Sequence, residues 1–204
     1  MTAFAPLRKS TQLLVLGLMR WQNFSQSAIA AFPFDIRNAA EQAAKKLAPL
    51  VDASYRYRLV DAQVLGFSVS IPSRIHFTKT KLPDPRLRGK RWLAIQCLST
   101  RATDGYLRHK ALEAIVNSRE PAAIPFIVLL AGEYVVEIID DMVLSLPTLD
   151  RVAYASFVRE NRQLMQRLRS KATNYWQRNY RTLFPEQSNY PGLIFLHELE
   201  RWAE

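Results

Sequence analysis

Cysteine, histidine and glycine are scarce in this sequence of 204 residues, and each scarcity excludes a class of protein. The single cysteine, Cys97, cannot form an internal disulfide or a cysteine-based zinc cluster. Three histidines leave few nitrogen ligands for a metal centre, and six glycines argue against glycine-rich phosphate loops and a many-turned β-sandwich. A lone thiol fits a reducing compartment, so we expect a cytoplasmic location.

Long apolar runs are also absent, which argues against a membrane span. No window approaches 18 uncharged apolar residues, and the apolar run at residues 124–146 is interrupted by Glu133. Near the N-terminus, the apolar residues 13–19 follow Arg8 and Lys9 and are ended by Arg20. This short region is better explained as part of an amphipathic helix than as a signal peptide.

Positive charge is in surplus but unevenly distributed. The net charge is +10: residues 1–50 carry +4, residues 51–100 carry +6, residues 101–150 carry −4 and residues 151–204 carry +4. An acidic segment between basic neighbours predicts intramolecular charge pairing first and binding of polyanions second.

Hydrophobic periodicity predicts a mainly α-helical, compact single domain over residues 1–204. The predicted helices cover residues 11–32, 36–50, 86–98, 105–117, 122–146, 149–183 and 191–202. Apolar and polar residues alternate around Tyr57 and Val69, so residues 54–77 are predicted to form a small β-hairpin, with a longer second helix as the alternative. A basic, proline-broken linker at residues 78–90 would allow a division into residues 1–77 and 84–204.

Residues 83–146 resemble HEAT-type helical repeats. The motifs that carry the resemblance are, in chain order, Pro85-Arg86-Leu87-Arg88 with Trp92, Leu107-Arg108 with Ile115, and the pair Pro121 and Pro125. The resemblance implies a scaffold of stacked helices that binds partners rather than a catalytic mechanism.

Four carboxylates lie within the apolar run of residues 124–146, namely Glu133, Glu137, Asp140 and Asp141. Their spacing predicts one shared face on a helix that is otherwise apolar nearly all round. Such carboxylates need partners, so we predict ion pairs with Arg108, Lys110 or arginines of the helix at 149–183. A double-mutant cycle between Glu137 and an opposing arginine would then show coupling.

A metal centre on the same acidic face is the alternative to ion pairing. His109 and Glu113 on the preceding helix could complete a site with Glu137, because carboxylates and imidazoles are the ligands that divalent cations use. The duplicated Glu-x-x-His signature of di-iron bundles is missing, however. We therefore prefer ion pairs, and we predict no cofactor, no metal and no catalytic residue.

Two basic groups of residues could contact nucleic acid. They are Lys79, Lys81, Arg86, Arg88, Lys90 and Arg91 in and after the linker, and Arg159, Arg162 and Arg169 on the helix at 149–183. The aromatic residues Tyr175, Trp176 and Tyr180 lie nearby for stacking on bases. The same arginines could instead lie on a solvated surface or pair with the acidic helix, and no known nucleic-acid-binding motif is present.

The preferred function is a non-enzymatic interaction protein that binds a protein partner through its helices. Exposure of Trp21, Trp92 or Trp202 in a solvent-facing patch would support it. Nucleic-acid binding is the alternative, and a metal-dependent enzyme centred on Glu133, Glu137 and Asp140 of the acidic face is a second alternative. The sequence does not indicate an oligomeric state.

Overall fold

The structure, a computed structural model, describes residues 24–52, 54–78 and 88–204. Its helices are α1 (residues 24–30), α2 (Arg37–Leu47), α3 (Gly89–Ser99), α4 (Gly105–Ile115), α5 (Ile124–Val128), α6 (Val136–Ser145), α7 (Arg151–Glu160), α8 (Arg162–Tyr175) and α9 (Pro191–Trp202). The two strands are β1 (Leu59–Val64) and β2 (Phe67–Pro72). The prediction of a mainly α-helical domain with one small β-hairpin is confirmed.

The N-terminal helices are set by proline and by alanine spacing. The chain leaves the helical conformation of α1 just before Pro33, as expected because proline disfavours the α conformation in the residue before it. On α2, Ala40, Ala43, Ala44 and Leu47 are fully buried at i, i+3, i+4 and i+7, and this face packs against α3. The first half of the helix predicted at residues 11–32, and residues 79–87 of the predicted linker, lie outside the described residues.

The hairpin is antiparallel, with Val60 opposite Ile71 and Ala62 opposite Val69. Its turn is Leu65–Gly66, and both residues have positive φ (52° and 78°), as the tight turn of a hairpin requires. The strand begins at Leu59 rather than near Tyr55, and its inward residues are Ala62 and Val64. The alternation of Tyr55, Tyr57 and Leu59 therefore marks the approach to the strand, not its buried face.

The helix predicted at residues 122–146, kinked or started at Pro125, does begin beside Pro125, because α5 starts at Ile124. The prediction that it continues unbroken to residue 146 is wrong. After α5, a 3-10 turn (Leu129–Gly132) leads into extended backbone at Glu133 (φ −95°, ψ 169°), and α6 begins only at Val136. Helix α8 passes very close at this point: a Cβ on Gly132 would lie 2.9 Å from Leu168 Cδ2. The interruption separates Glu133 from the other three carboxylates, so the predicted common acidic face does not exist.

The single helix predicted at residues 149–183 is also wrong, because it is divided at Asn161 (φ −125°, ψ 34°). The Asn161 side chain connects this break to the hairpin: Oδ1 accepts from the Gln63 N–H and Nδ2 donates to the Gln63 carbonyl, both at 2.8 Å. Beyond α8 the chain makes a π-helical turn (Trp176–Tyr180).

Helix α9 occupies the middle of the C-terminal half. It begins at Pro191, as predicted, and packs against α6, α7 and α8. Phe195, Leu196 and Leu199 are fully buried in these contacts. No helix among the described residues is long and apolar enough to cross a membrane.

Candidate functional site

Glu133 is the centre of a buried charged cluster. Its carboxylate is completely buried and accepts from Arg74 Nη1 at 2.6 Å and from Arg101 Nη2 at 3.1 Å, while Arg74 Nη2 bonds its second oxygen. Arg74 follows β2 and Arg101 follows α3, and a bridge between Ile75 and Ala102 holds these two segments side by side. The break before α6 thus turns one carboxylate inward to meet two guanidiniums.

The cluster contains more positive than negative groups. Arg108, only 1% exposed, donates from Nη1 to the carbonyls of Ala102 and Thr103, at 2.9 Å each. Two nitrogens of Arg108 (Nε and Nη2) and two of Arg101 (Nε and Nη1) are buried without a hydrogen-bond partner. Three buried or half-buried guanidiniums therefore surround one carboxylate, which only Arg74 and Arg101 bond, although buried charges are normally matched.

The pKa shifts in the cluster reflect this surplus. Burial alone raises the pKa of Glu133, but Arg101 and Arg74 outweigh it and hold that pKa below its usual range. Burial lowers the pKa of Arg101 to about 10, an effect that Glu133 opposes and Arg74 and Arg108 reinforce. The pKa of the Lys171 ammonium is also lowered, first by burial and then by the three arginines, against the opposing effect of Glu133.

A cleft of about 180 Å³ adjoins the cluster, between the hairpin and α8. Its polar lining consists of Ser73, Arg101, Arg167 and Lys171. Its apolar lining consists of Leu59, Val60, Leu129, Leu164 and Leu168. Positive charge and apolar surface thus meet in one concavity.

The exposed side of α8 forms a second, wide-open and nearly flat depression of about 640 Å³, which we call the α8 groove. It is lined by Gln163, Gln166, Arg167, Ser170, Lys171 and Asn174. Each of these side chains can donate a hydrogen bond, and none is a carboxylate. The absence of negative charge extends beyond the groove, because the sequence from 161 to 185 contains six basic residues and no acidic one.

The three carboxylates of α6 lie apart from the cluster. Glu137 and Asp140 are exposed, and no ion pair involves either of them in the described part of the chain. Burial, followed by the negative charges of Glu137 and Asp141, raises the pKa of Asp140. The predicted coupling between Glu137 and an opposing arginine therefore has no structural basis. Glu133 does have arginine partners, but they are Arg74 and Arg101 rather than the predicted ones.

One group of side chains could hold a metal ion. Ligand atoms of His109, Glu113 and Asp141 lie within 4.8 Å of one another, and His109 Nε2 is 2.5 Å from Asp141 Oδ2. The predicted alternative set of Glu133, Glu137 and Asp140 is not brought together in the described ranges. A histidine and two carboxylates form a plausible ligand set for zinc, but the direct His109–Asp141 contact already explains their proximity.

Of the predicted nucleic-acid contacts that the structure describes, two are ion-paired and two line a cleft that also contains carboxylates. Lys79, Lys81 and Arg86 lie outside the described residues, Arg88 is exposed and Arg91 is half-buried. Lys90 pairs with Asp35 at 3.1 Å, and Arg169 pairs with Glu200. Arg159 and Arg162 are exposed and line a separate cleft with Glu200 and Glu204.

None of the three tryptophans that the structure describes lies in an exposed patch. Trp92 and Trp202 are half-buried, and Trp202 packs edge-on against Tyr154 while its indole donates to Glu198 at 2.8 Å. Trp176 is buried, and Trp21 lies outside the described residues. The feature that would have favoured a protein partner is therefore not seen at Trp92 or Trp202.

Sequence reasoning missed the most important residues of the cluster, Arg74 and Arg101. It placed Arg167 and Lys171 on a basic edge of the helix at 149–183 but did not include them among the predicted nucleic-acid contacts. The position of Glu133 within an apolar run predicted an arginine partner, but the neighbouring sequence does not identify which arginine bonds it. The absence of acidic residues from 161 to 185 was the available signal for the groove. Comparison with models of protein families, with curated proteins and with solved structures finds no significant match.

Proposed function

We propose that this protein binds the phosphate backbone of a nucleic acid through the α8 groove. The observation that carries the proposal is the composition of the groove: two cations and four neutral hydrogen-bonding side chains, with no carboxylate among them. Arginine, lysine, serine, asparagine and glutamine are the side chains that contact phosphates and sugars in protein–DNA complexes.

The helical spacing arranges these side chains in two rows. Gln163, Arg167 and Lys171 follow one another at i, i+4 and i+8, and Gln166, Ser170 and Asn174 form the parallel row. Each step along a row advances about 6 Å along the helix axis. Regularly spaced donors suit a polymer with repeating phosphates better than an isolated acidic group. Because the sequence contains no known nucleic-acid-binding motif that would place these side chains against base edges, the proposed binding is to the backbone and independent of base sequence.

The test is the salt dependence of binding by the full chain. Fluorescence anisotropy with a labelled duplex of about 20 base pairs, from about 25 mM to about 300 mM salt, should give a linear fall of log K with log salt. The double variant Arg167→Gln/Lys171→Gln should reduce the slope by about 2, because each neutralised phosphate contributes about 0.9.

A matched control removes two cations elsewhere. Lys45→Gln/Lys46→Gln changes the net charge equally on α2, where both lysines are exposed. The α8 groove would be rejected as the binding surface by either of two results: no binding at about 25 mM salt, or an equal loss of affinity in the two double variants.

Binding of a protein partner, with the HEAT-like scaffold that it implies, remains the alternative proposal. The half-buried Trp92 and Trp202 give it no added support. A protein complex held by apolar contacts would persist at about 300 mM salt, whereas the proposed nucleic-acid complex would weaken strongly.

A further inference from the structure

We infer that the cleft between the β-hairpin and α8 is a binding site for a small aliphatic carboxylate. The carboxylate would lie against Arg101, Arg167 and Lys171, and the aliphatic tail against the leucines of the cleft. This inference concerns a small molecule and does not depend on nucleic-acid binding.

The cations that line the cleft lack a matching anion among its lining residues. Arg101 lines the cleft and is 3% exposed, yet its Nε and Nη1 have no hydrogen-bond partner. Its Nη2 is already used, because it donates to Glu133 and to the Ser73 carbonyl. Removing a guanidinium from water without satisfying its donors is unfavourable, so a second carboxylate at this position would be strongly favoured.

Two further cations, Arg167 and Lys171, line the same cleft. Arg167 and Lys171 lie one helical turn apart on α8 and line both the cleft and the α8 groove. Neither makes an ion pair with another described residue. They would attract an anion to the cleft and contact its exposed oxygen, while the buried Arg101 contacts the other.

The apolar lining indicates what the anion carries. Five of the nine residues around the cleft are Leu59, Val60, Leu129, Leu164 and Leu168. An inorganic phosphate would place polar oxygens against these side chains, whereas an aliphatic tail would bury apolar surface there. The volume of about 180 Å³ is below the roughly 300–1,000 Å³ of sites for drug-sized ligands, which limits the tail to a few carbons.

The experiment is a thermal-shift titration of the full chain with four probes. Hexanoate has both the charge and the tail, hexanamide has only the tail, acetate has only the charge, and inorganic phosphate has a different anionic group. Hexanoate should raise Tm by about 5–10 °C at about 100 times its Kd. At the same concentration, the other three probes should give clearly smaller shifts.

Two tryptophan variants locate the site without removing a buried charge. Leu59→Trp should fill the cleft and weaken hexanoate binding about tenfold or more, because Leu59 is half-exposed at its rim. Phe67→Trp is the control on the same hairpin, because Phe67 is also about half-exposed but does not line the cleft. It should leave hexanoate binding unchanged.

Several outcomes would overturn the inference. One is a rise in Tm with phosphate or with hexanamide that is as large as the rise with hexanoate. Another is a rise in Tm with hexanoate that is the same in Leu59→Trp as in the wild type. Because Leu59 lies outside the α8 groove, Leu59→Trp should bind DNA with the same salt slope as the wild type. Failure of the carboxylate site is therefore distinguishable from failure of the proposed nucleic-acid binding.

Discussion

Glu133 and Glu137 are four residues apart, yet their surroundings give them opposite roles. Glu133 is completely buried and bonded to two arginines, while Glu137 is exposed on the first turn of α6. Removing one partner of a buried ion pair leaves the other charge buried and unpaired. This lowers the free energy of unfolding far more than removing a solvated carboxylate does. The energetic importance of the acidic residues is therefore concentrated at Glu133.

Replacement of Glu133 by glutamine should destabilise the protein by about 3–5 kcal/mol, because Arg101 would remain buried without its counter-charge. Glu137→Gln is the matched control and should change the free energy of unfolding by less than about 0.5 kcal/mol. Urea denaturation of both variants measures the difference. A double-mutant cycle with Arg74→Gln should show strong coupling to Glu133; additive effects would mean that the Arg74–Glu133 bond contributes nothing to stability.

The same substitution should change the response to acid. Because the pKa of Glu133 is lower in the folded protein than in the unfolded chain, its contribution to stability is complete above the ordinary glutamate pKa of about 4.3. That contribution is lost as the pH falls below this value and Glu133 becomes protonated. The stability difference between the wild type and Glu133→Gln should therefore shrink between about pH 5 and pH 2. A constant difference over this range would contradict the lowered pKa.

Among the structural elements, the β-hairpin depends most clearly on one distant side chain. Asn161 binds both backbone groups of Gln63 and also donates to the Phe157 carbonyl at 2.8 Å. It thereby joins the edge of β1 to the junction of α7 and α8. A two-stranded hairpin alone is at best marginally stable, so this connection helps hold β1 in place.

Asn161→Ala should destabilise the protein by about 1–3 kcal/mol, because it leaves the Gln63 N–H and carbonyl without partners. Hydrogen exchange at the Gln63 amide should accelerate more than exchange in α2, which packs mainly against α3. Asn174→Ala, on the exposed side of α8, is the control and should have little effect. Unchanged exchange at Gln63 in Asn161→Ala would show that the side chain does not hold β1.

Helix ends that are set by residues such as proline in the sequence itself could be predicted. Helix ends that are set by contacts with distant parts of the chain could not. Pro33 and Pro191 mark a helix end and a helix start in the sequence itself, and α9 begins where predicted. Gly132 and Asn161 interrupt segments whose hydrophobic periodicity continues across them. The causes of these interruptions are distant in sequence: Leu168 packs against Gly132, and Gln63 bonds Asn161.

The candidate site was predictable only in its chemistry. An acidic residue within an apolar run of a basic protein implied a buried ion pair, and Glu133 makes one. Its partners come from the end of the hairpin and the end of α3, which no sequence spacing connects. The cleft depends on how the hairpin lies on α8, so its lining could not be inferred from periodicity.

On the scale of the whole molecule, positive charge is unmatched in two adjoining places. The buried cluster has three guanidiniums around one carboxylate. The sequence from 161 to 185 has six basic residues and no acidic one, and among the described residues only Arg169 of the six has an acidic partner, Glu200. Arg167 and Lys171 belong to the α8 groove and line the cleft that Arg101 also lines, so the two regions adjoin. Repulsion within this combined region lowers stability unless salt or a bound anion screens it.

Raising the sodium chloride concentration from about 20 mM to about 300 mM should therefore stabilise the protein. We expect Tm to rise by about 2–4 °C, which corresponds to roughly 1 kcal/mol for a chain of this length. Arg178→Gln/Arg181→Gln should be more stable than the wild type at low salt and respond less to added salt, because both arginines are exposed within the uncompensated segment. A Tm that falls with salt would instead show that ion pairs such as Lys90–Asp35 and Arg169–Glu200 outweigh the repulsion.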